Sequence, residues 1–486
     1  MLFNSLGFAA FFLLTAWLHF VVPRRYAWVP LLVASYYFYM SWRPVFGLLL
    51  LASTLVNYVA ALRMAALPGK PGRGKYLLLC LVFNLGLLFV FKYFNFFSRS
   101  LADALAVWGL AVDPPLLDML LPVGISFYTF QVLGYVIDVY EERIEAERHP
   151  GIFALFVAFW PQLLAGPINR AKLLLPQFRP EAFRTRRFDA ALAVDGLRQM
   201  LWGLFKKVVI ADNLALHVNH VFNHAGELRG LPVVLAAVFY TVQIYCDFSG
   251  YTDVALGAAR FMGFRLTENF DRPYFARSVR EFWQRWHISL STWFRDYVYI
   301  PLGGSRVAAW RRHLNILLTF LLSGLWHGAD WTFVVWGGLH GAVLVLENAT
   351  GGFQKRLADR LFPLRAGLNN AVQVGLTMTL VCLAWVFFRA DSLAQALTVL
   401  RSMAPRAGGP LLGDGPAILG GWTLLFHGAL VLLLVGVELA GRPGAVRERV
   451  ARWPLTLRWL AYSAGAWAVA LCTVFGVRQE FIYFQF

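Results

Sequence analysis

Charged side chains are scarce in this chain: Asp, Glu, Lys and Arg make up 15% of its 486 residues, where a soluble domain carries about 25%. An ordinary soluble enzyme is excluded, because 59% of the residues are hydrophobic and they fall into run after run of the roughly 20 residues that span a bilayer as helix. The runs lack the apolar-polar alternation of barrel strands, so a membrane β-barrel is excluded too. Cysteine is rare. Cys80, Cys246, Cys382 and Cys472 stand singly in apolar runs, without the paired spacing of a zinc site or redox couple, and read as small core residues. Acidic residues number 27 against 44 basic ones, a net charge of +17, yet nucleic acid is not the implied partner. The basic residues occupy short connections between apolar runs, the distribution of the positive-inside rule.

The fold class that follows is all-α, a polytopic helical membrane protein. Candidate spans lie at 5–22, 26–42, 45–62, 76–97, 116–139, 193–216, 231–262, 314–326, 331–347, 367–389, 417–440 and 455–476. The basic clusters at 24–25, 63–75, 143–148, 170–187, 265–312, 355–365 and 442–458 all face the cytoplasm if the N-terminus lies outside. The first run has no basic residue before it and Pro-Arg-Arg after it, so it reads as a retained span and not a cleaved signal. Segments 152–165 and 282–302 have basic connections on both sides and read as re-entrant. The two runs flanking His327 read as a hairpin returning to the cytoplasmic face. The expected arrangement is about 10 to 12 spans with both termini periplasmic.

Within this framework the chemistry-bearing residues concentrate in EFWQRWHISLSTWFRDYVYIPLGG (281–304) and LLTFLLSGLWHGADWTFVVWGGLHG (317–341). His287 and His327 thereby fall at membrane depth, where an ionisable residue needs a partner or a wet cavity. Non-helical backbone at that depth lines a cavity or is buried in protein, so the re-entrant reading around His287 implies a polar passage, with Trp326 a candidate for its lining. Gly324, Gly328, Gly337, Gly338 and Gly341 fit either such a passage or ordinary close helix packing.

Several other groups admit two readings each. Asp247 and Tyr251 lie four apart, hence on one helical face, and suit either cavity lining or a helix-helix hydrogen bond. Lys206 and Lys207 interrupt a span, which leaves them to snorkel or to meet a donor's phosphates. His217, His220 and His224 have the spacing of one helical face but no Cys or acidic companion, so a polar interfacial face outweighs a metal site. His340 lies thirteen residues beyond His327, nearly opposite on a continuous helix, and reads as structural. The terminal FIYFQF (481–486) places Tyr483 at the outer surface or folded back into it, as a membrane-interface anchor or as a functional tail.

Five stretches carry a resemblance: NRAKLLLPQF (169–178), GLFKKVVIADNLA (203–215), VQIYCDFSGYTDVALGAARFMGFRLTENFDRPY (242–274), FWQRWHISLSTWFRDYVYIPLGG (282–304) and SGLWHGADWTFVVWGGLHG (323–341). Together they resemble the membrane-bound O-acyltransferase family, in its bacterial branch of alginate O-acetylation and D-alanyl transfer proteins. The resemblance implies one membrane domain over 1–486, with helices and re-entrant pieces around a central passage and a catalytic core at about 120–350. It implies His327 as principal catalytic histidine, His287 as the second active-site histidine and Tyr483 as a candidate acyl relay. It further implies acetyl-CoA as donor substrate with no bound cofactor, an inner-membrane location, a periplasmic serine-hydrolase-like (SGNH) acetyltransferase partner and an exported polysaccharide as acceptor. Membrane lipids are the remaining partners.

The residue types suit acyl transfer from a thioester. Imidazole titrates near neutral pH and can take a hydroxyl proton and return it to the leaving thiolate. A phenol with pKa about 10 leaves nearly as well as a thiol of about 8.5, so an aryl ester keeps most of a thioester's transfer potential. D-alanyl transfer to teichoic acid and peptidoglycan O-acetylation remain alternatives. The usage of 37 Arg against 7 Lys suggests GC-rich coding and weighs against the former. A transporter acting without chemistry would call for an internal repeat, and the 282–341 pattern does not recur in the sequence.

Overall fold

A computed structural model describes residues 1–361, 366–405, 421–473 and 481–484, and every regular element among them is helical. Six helical stretches are long and apolar enough to cross a membrane: Phe46–Ala65, Lys70–Val107, Leu231–Phe261, Trp331–Gly352, Gly367–Arg389 and Gly421–Ala440. Leu6–Val21 is apolar but shorter. The chain divides into two compact units, residues 1–200 with 254–267, and residues 201–253 with 268–486.

The first unit is built on α1 (Leu6–Val21), α2 (Trp28–Met40), α3 (Phe46–Ala65), α4 (Lys70–Leu88), α5 (Phe94–Val107), α6 (Ile125–Tyr140) and α7 (Pro150–Ala158), followed by the short α8 (Trp160–Leu163), α9 (Ala171–Phe178) and α10 (Pro180–Thr185) and most of α11 (Ala190–Leu204). Trp160 is fully buried, and Phe3, Phe8, Phe11, Phe12 and Phe38 surround its ring. In a bilayer, polar side chains join helices where apolar ones gain nothing over lipid. Accordingly Ser53 and Asn57 of α3 donate to Asn84 Oδ1 of α4 at 2.8 and 3.2 Å, and Asn84 Nδ2 donates back to Asn57 Oδ1 at 3.0 Å.

Two expectations change here. The span expected at 116–139 becomes helical only from Ile125, because Pro122 lacks an amide donor and Gly124 takes the left-handed φ of 78° just before the helix. The piece at 152–165 is two short helices, α7 and α8, broken at Phe159, with Pro161 at the start of the second.

The second unit carries α12 (Asp212–Asn223), residues 231–253 of α13 (Leu231–Phe261), α14 (Val279–Arg285), α15 (Ile288–Phe294), α16 (Ala309–His327), α17 (Trp331–Leu361), α18 (Ala366–Arg389) and α19 (Leu393–Ser402). It continues with α20 (Gly421–Ala440), α21 (Pro443–Ala451), α22 (Leu455–Leu471) and a final 3-10 turn, Ile482–Phe484. The span expected at 193–216 is α11 and α12 joined by a π-helical turn, Phe205–Ala211, which carries both lysines. The run expected at 331–347 extends to Leu361. Residues 474–480 and 485–486, parts of the last expected span and of the aromatic tail, lie outside the described residues.

Helices α16 and α17 form the hairpin expected around His327. Their contact is set by glycine: a Cβ on Gly337 would strike the Phe320 carbonyl oxygen and stand 3.0 Å from the Gly324 Cα. Gly337→Leu is expected to force the pair apart, a cost of at least about 1–3 kcal/mol by overpacking. The measurement is thermal unfolding in detergent, against Gly375→Ala, where a Cβ meets open space. An unchanged midpoint in Gly337→Leu would contradict this packing.

Candidate active site

Each of the two histidines sits where a helix stops. Helix α14 begins at Ser278, whose hydroxyl accepts from Glu281 N, and closes with Trp286 N donating to Phe282 O. His287 then turns left-handed, φ 43° and ψ 53°, before α15 begins. A β-carbon in that region is disfavoured by about 1–3 kcal/mol and persists only where neighbours fix it. Asn269 does the fixing: its carbonyl accepts from Ile288 N at 2.9 Å, and its Oδ1 accepts from the Ser289 hydroxyl at 2.6 Å. The re-entrant segment expected at 282–302 is thus two seven-residue helices, a kink at His287 and a π turn, Arg295–Tyr299.

His327 is the last residue of α16, and Gly328 leaves the helix in an extended conformation. A side chain on Gly328 would collide with the Phe333 ring, so glycine there lets the start of α17 pack close against the end of α16. His327 Nδ1 lies 2.7 Å from the Ser323 carbonyl. A carbonyl only accepts, so Nδ1 carries the proton and Nε2 holds the lone pair, the tautomer required of a base.

These two rings meet. His287 is fully buried and His327 is 3% exposed, with ring centroids 6.3 Å apart. Tyr483, about 150 residues further along the chain, places its ring 5.9 Å from His327 and 6.2 Å from His287. Trp326 stands 5.0 Å from His327 and 6.1 Å from His287, and Trp336 packs 4.9 Å from His327 on another side. Phe248 underlies the group, 4.7 Å from His287 and 4.3 Å from Tyr483. Two imidazoles and a phenol within an aromatic wall form a low-dielectric site in which a proton can pass between a hydroxyl and a leaving group.

Asp247 and Tyr251 share one face of α13, and both engage the tail. Asp247 Oδ2 accepts from Ile482 N at 2.8 Å, and Tyr251 stacks on Phe481 at 4.7 Å. The two lysines neither snorkel nor stand ready for phosphates. Lys207 pairs with Asp212 at 2.8 Å and Asp247 at 2.5 Å, while Lys206 pairs with Asp253 at 2.7 Å and donates to Ser249 at 2.8 Å. A buried ammonium requires such partners, and the acidic residues of α12 and α13 supply them.

The other histidines lie outside this group. His340 Nδ1 accepts from Trp283 Nε1 at 3.3 Å. His217 Nε2 lies 3.2 Å from Pro232 O and His224 Nδ1 2.8 Å from His220 O. Among the described residues, no group of three or more His, Cys, Asp or Glu could hold a metal ion.

Beside the histidines opens a cavity of about 510 Å³. Ile288, next to His287, and Ser323, which fixes His327, form part of its wall, and Arg280, Arg295 and Arg312 line it as well. The arrangement offers cationic groups for an anionic ligand, and its wall includes a neighbour of each catalytic candidate but neither imidazole itself. Sequence reasoning missed Asn269, Phe248 and Ser323. Asn269 and Phe248 stand within recognisable stretches, but only the turn at His287 and the return of the tail give them tasks.

A family model described as MBOAT, membrane-bound O-acyltransferase family, matches residues 149–387, a range that holds both His287 and His327. Similar proteins include a probable alginate O-acetylase of Pseudomonas aeruginosa, 41% identical over 406 residues, which cover 83% of this chain and 75% of that protein. A peptidoglycan O-acetyltransferase of Helicobacter pylori is 36% identical over 435 residues, 83% of this chain and 80% of that protein. A teichoic acid D-alanyltransferase of Lacticaseibacillus rhamnosus is 29% identical over 353 residues, 65% of this chain and 84% of that protein.

Proposed function

Since this chain belongs to the membrane-bound O-acyltransferase family and is a multi-pass membrane acyltransferase, we propose that it takes acetyl from cytoplasmic acetyl-CoA and delivers it across the inner membrane for O-acetylation of an exported polysaccharide. The observation that carries this reading is the convergence of His327, His287 and Tyr483 within 5.9 to 6.3 Å beside an arginine-lined cavity. The acceptor class is supported by the names of the relatives, which act on alginate or peptidoglycan.

In the proposed reaction, the nucleotide phosphates of acetyl-CoA meet Arg280, Arg295 and Arg312, and the pantetheine arm follows the cavity wall towards Ser323 and His327. The Tyr483 oxygen attacks the thioester carbonyl carbon while His327 Nε2 takes the phenolic proton. The carbon-sulfur bond then breaks, and the thiolate leaves as CoA thiol with the proton from His327. His287 flanks the same carbonyl and orients it. The product is an aryl acetate on Tyr483, which a hydroxyl of a periplasmic serine-hydrolase-like acetyltransferase attacks in turn, regenerating the phenol and passing acetyl to the glycan.

The test of the donor side is steady-state release of CoA from acetyl-CoA by the protein together with its periplasmic acyl acceptor, which empties Tyr483 after each turnover. Arg312→Ala is expected to raise KM for acetyl-CoA about tenfold, the loss of one charge-assisted hydrogen bond, with kcat nearly unchanged. An unaltered KM would overturn the assignment of the cavity to the donor. No CoA release by the wild-type protein, with turnover of a D-alanyl carrier instead, would overturn the choice of acetyl donor.

A further inference from the structure

The tail that carries Tyr483 is held at three points on one helix. Phe481 stacks on Tyr251, Tyr483 packs on Phe248, and between them the Ile482 amide donates 2.8 Å to Asp247 Oδ2. Ile482 opens the final 3-10 turn, so its amide is one of those that a helical turn cannot satisfy internally. Asp247 lies 235 residues earlier and is 1% exposed. Only the polar contact among the three has a defined direction, and it fixes the axis of the turn.

Asp247 is also paired with Lys207, which reaches Asp212 as well. Two carboxylates share one ammonium, and the Ile482 amide faces the Asp247 carboxylate of that group. This arrangement has a consequence for release. When the tail leaves, Asp247 keeps Lys207 and is not stranded as an unpaired buried charge, which would oppose departure strongly.

We propose that Asp247, charge-paired by Lys207, is the latch that docks the C-terminal turn and sets Tyr483 against His287 and His327: a positioning residue that holds the tail firmly and still lets it go. That the latch serves acyl transfer rests on the reading of Tyr483 as the relay; that it holds the tail does not.

The experiment uses the full-length protein in detergent and reads hydrogen–deuterium exchange of the C-terminal peptide by mass spectrometry, beside labelling of that peptide from isotopically labelled acetyl-CoA. Asp247→Ala is expected to speed exchange of the tail at least tenfold while peptides of α16 and α17 stay protected, because Lys207 keeps Asp212. Asp247→Asn retains an acceptor oxygen and is expected to restore most of the protection. Ile482→Pro removes the donor without touching the Lys207–Asp247 pair, and its φ fits the first position of a helical turn. Asp247→Ala and Ile482→Pro should both lower tail labelling at least tenfold with KM for acetyl-CoA unchanged. Unaltered tail exchange in Asp247→Ala, or exchange in Asp247→Asn as fast as in Asp247→Ala, would overturn the latch. A wild-type tail that is protected yet never labelled would instead refute the relay and leave the latch standing.

Discussion

His327→Ala is expected to lower CoA release from acetyl-CoA about 10³-fold, within the range for loss of a general acid-base. The ring does two jobs in succession, taking the acceptor's proton and returning it to the thiolate, so its loss removes both. The residue ends α16, and its Nδ1 donates to the Ser323 carbonyl. His327→Gln sharpens the test, because an amide can still donate to that carbonyl but is no base. Equal loss in both variants assigns the effect to the lone pair of Nε2. Retention of a tenth or more of the activity in His327→Gln would contradict that role, and a carrier that moved acyl groups without chemistry would release no CoA in any of the three proteins.

Tyr483→Phe is expected to abolish acetylation of the polysaccharide, at least about 100-fold below wild type, when the chain is expressed with its periplasmic partner. One oxygen is removed. The ring keeps its neighbours, Phe248 at 4.3 Å, Phe481 at 5.6 Å and the two histidines near 6 Å, so the tail remains docked. Slow hydrolysis of acetyl-CoA by water should persist, because His327 and the donor cavity are intact. This split between product formation and thioester cleavage is what separates a relay from an aromatic anchor: an anchor would need the ring, which phenylalanine supplies, and would tolerate the change.

Much of the architecture was legible because bilayer spans are written in composition. Runs of apolar residues and basic connections located α1, α2, α3, α18 and α20 within a few residues, and some of the larger differences have local causes such as Pro122 and Gly124 before α6. The two histidines were legible by motif. Their approach to 6.3 Å was not, because it depends on a left-handed His287 held by Asn269, and nothing in a one-dimensional pattern reports φ. The lysines show the same limit. Lys206 and Lys207 invite several readings in sequence, and only the packing of α12 and α13 brings Asp212, Asp247 and Asp253 to them. The tail is the strongest case. FIYFQF suits a membrane interface equally well, and its seat on Asp247, Phe248 and Tyr251 is a contact across more than 230 residues.

The measurement that bears most directly on the account is intact-protein and peptide mass spectrometry after incubation with isotopically labelled acetyl-CoA, on wild type, His327→Ala and Tyr483→Phe. A labelled acetyl group is expected on the C-terminal peptide of the wild-type protein, at Tyr483, and none in either variant. Release of CoA by the wild-type protein with no label on that peptide would contradict the relay and leave direct transfer in its place.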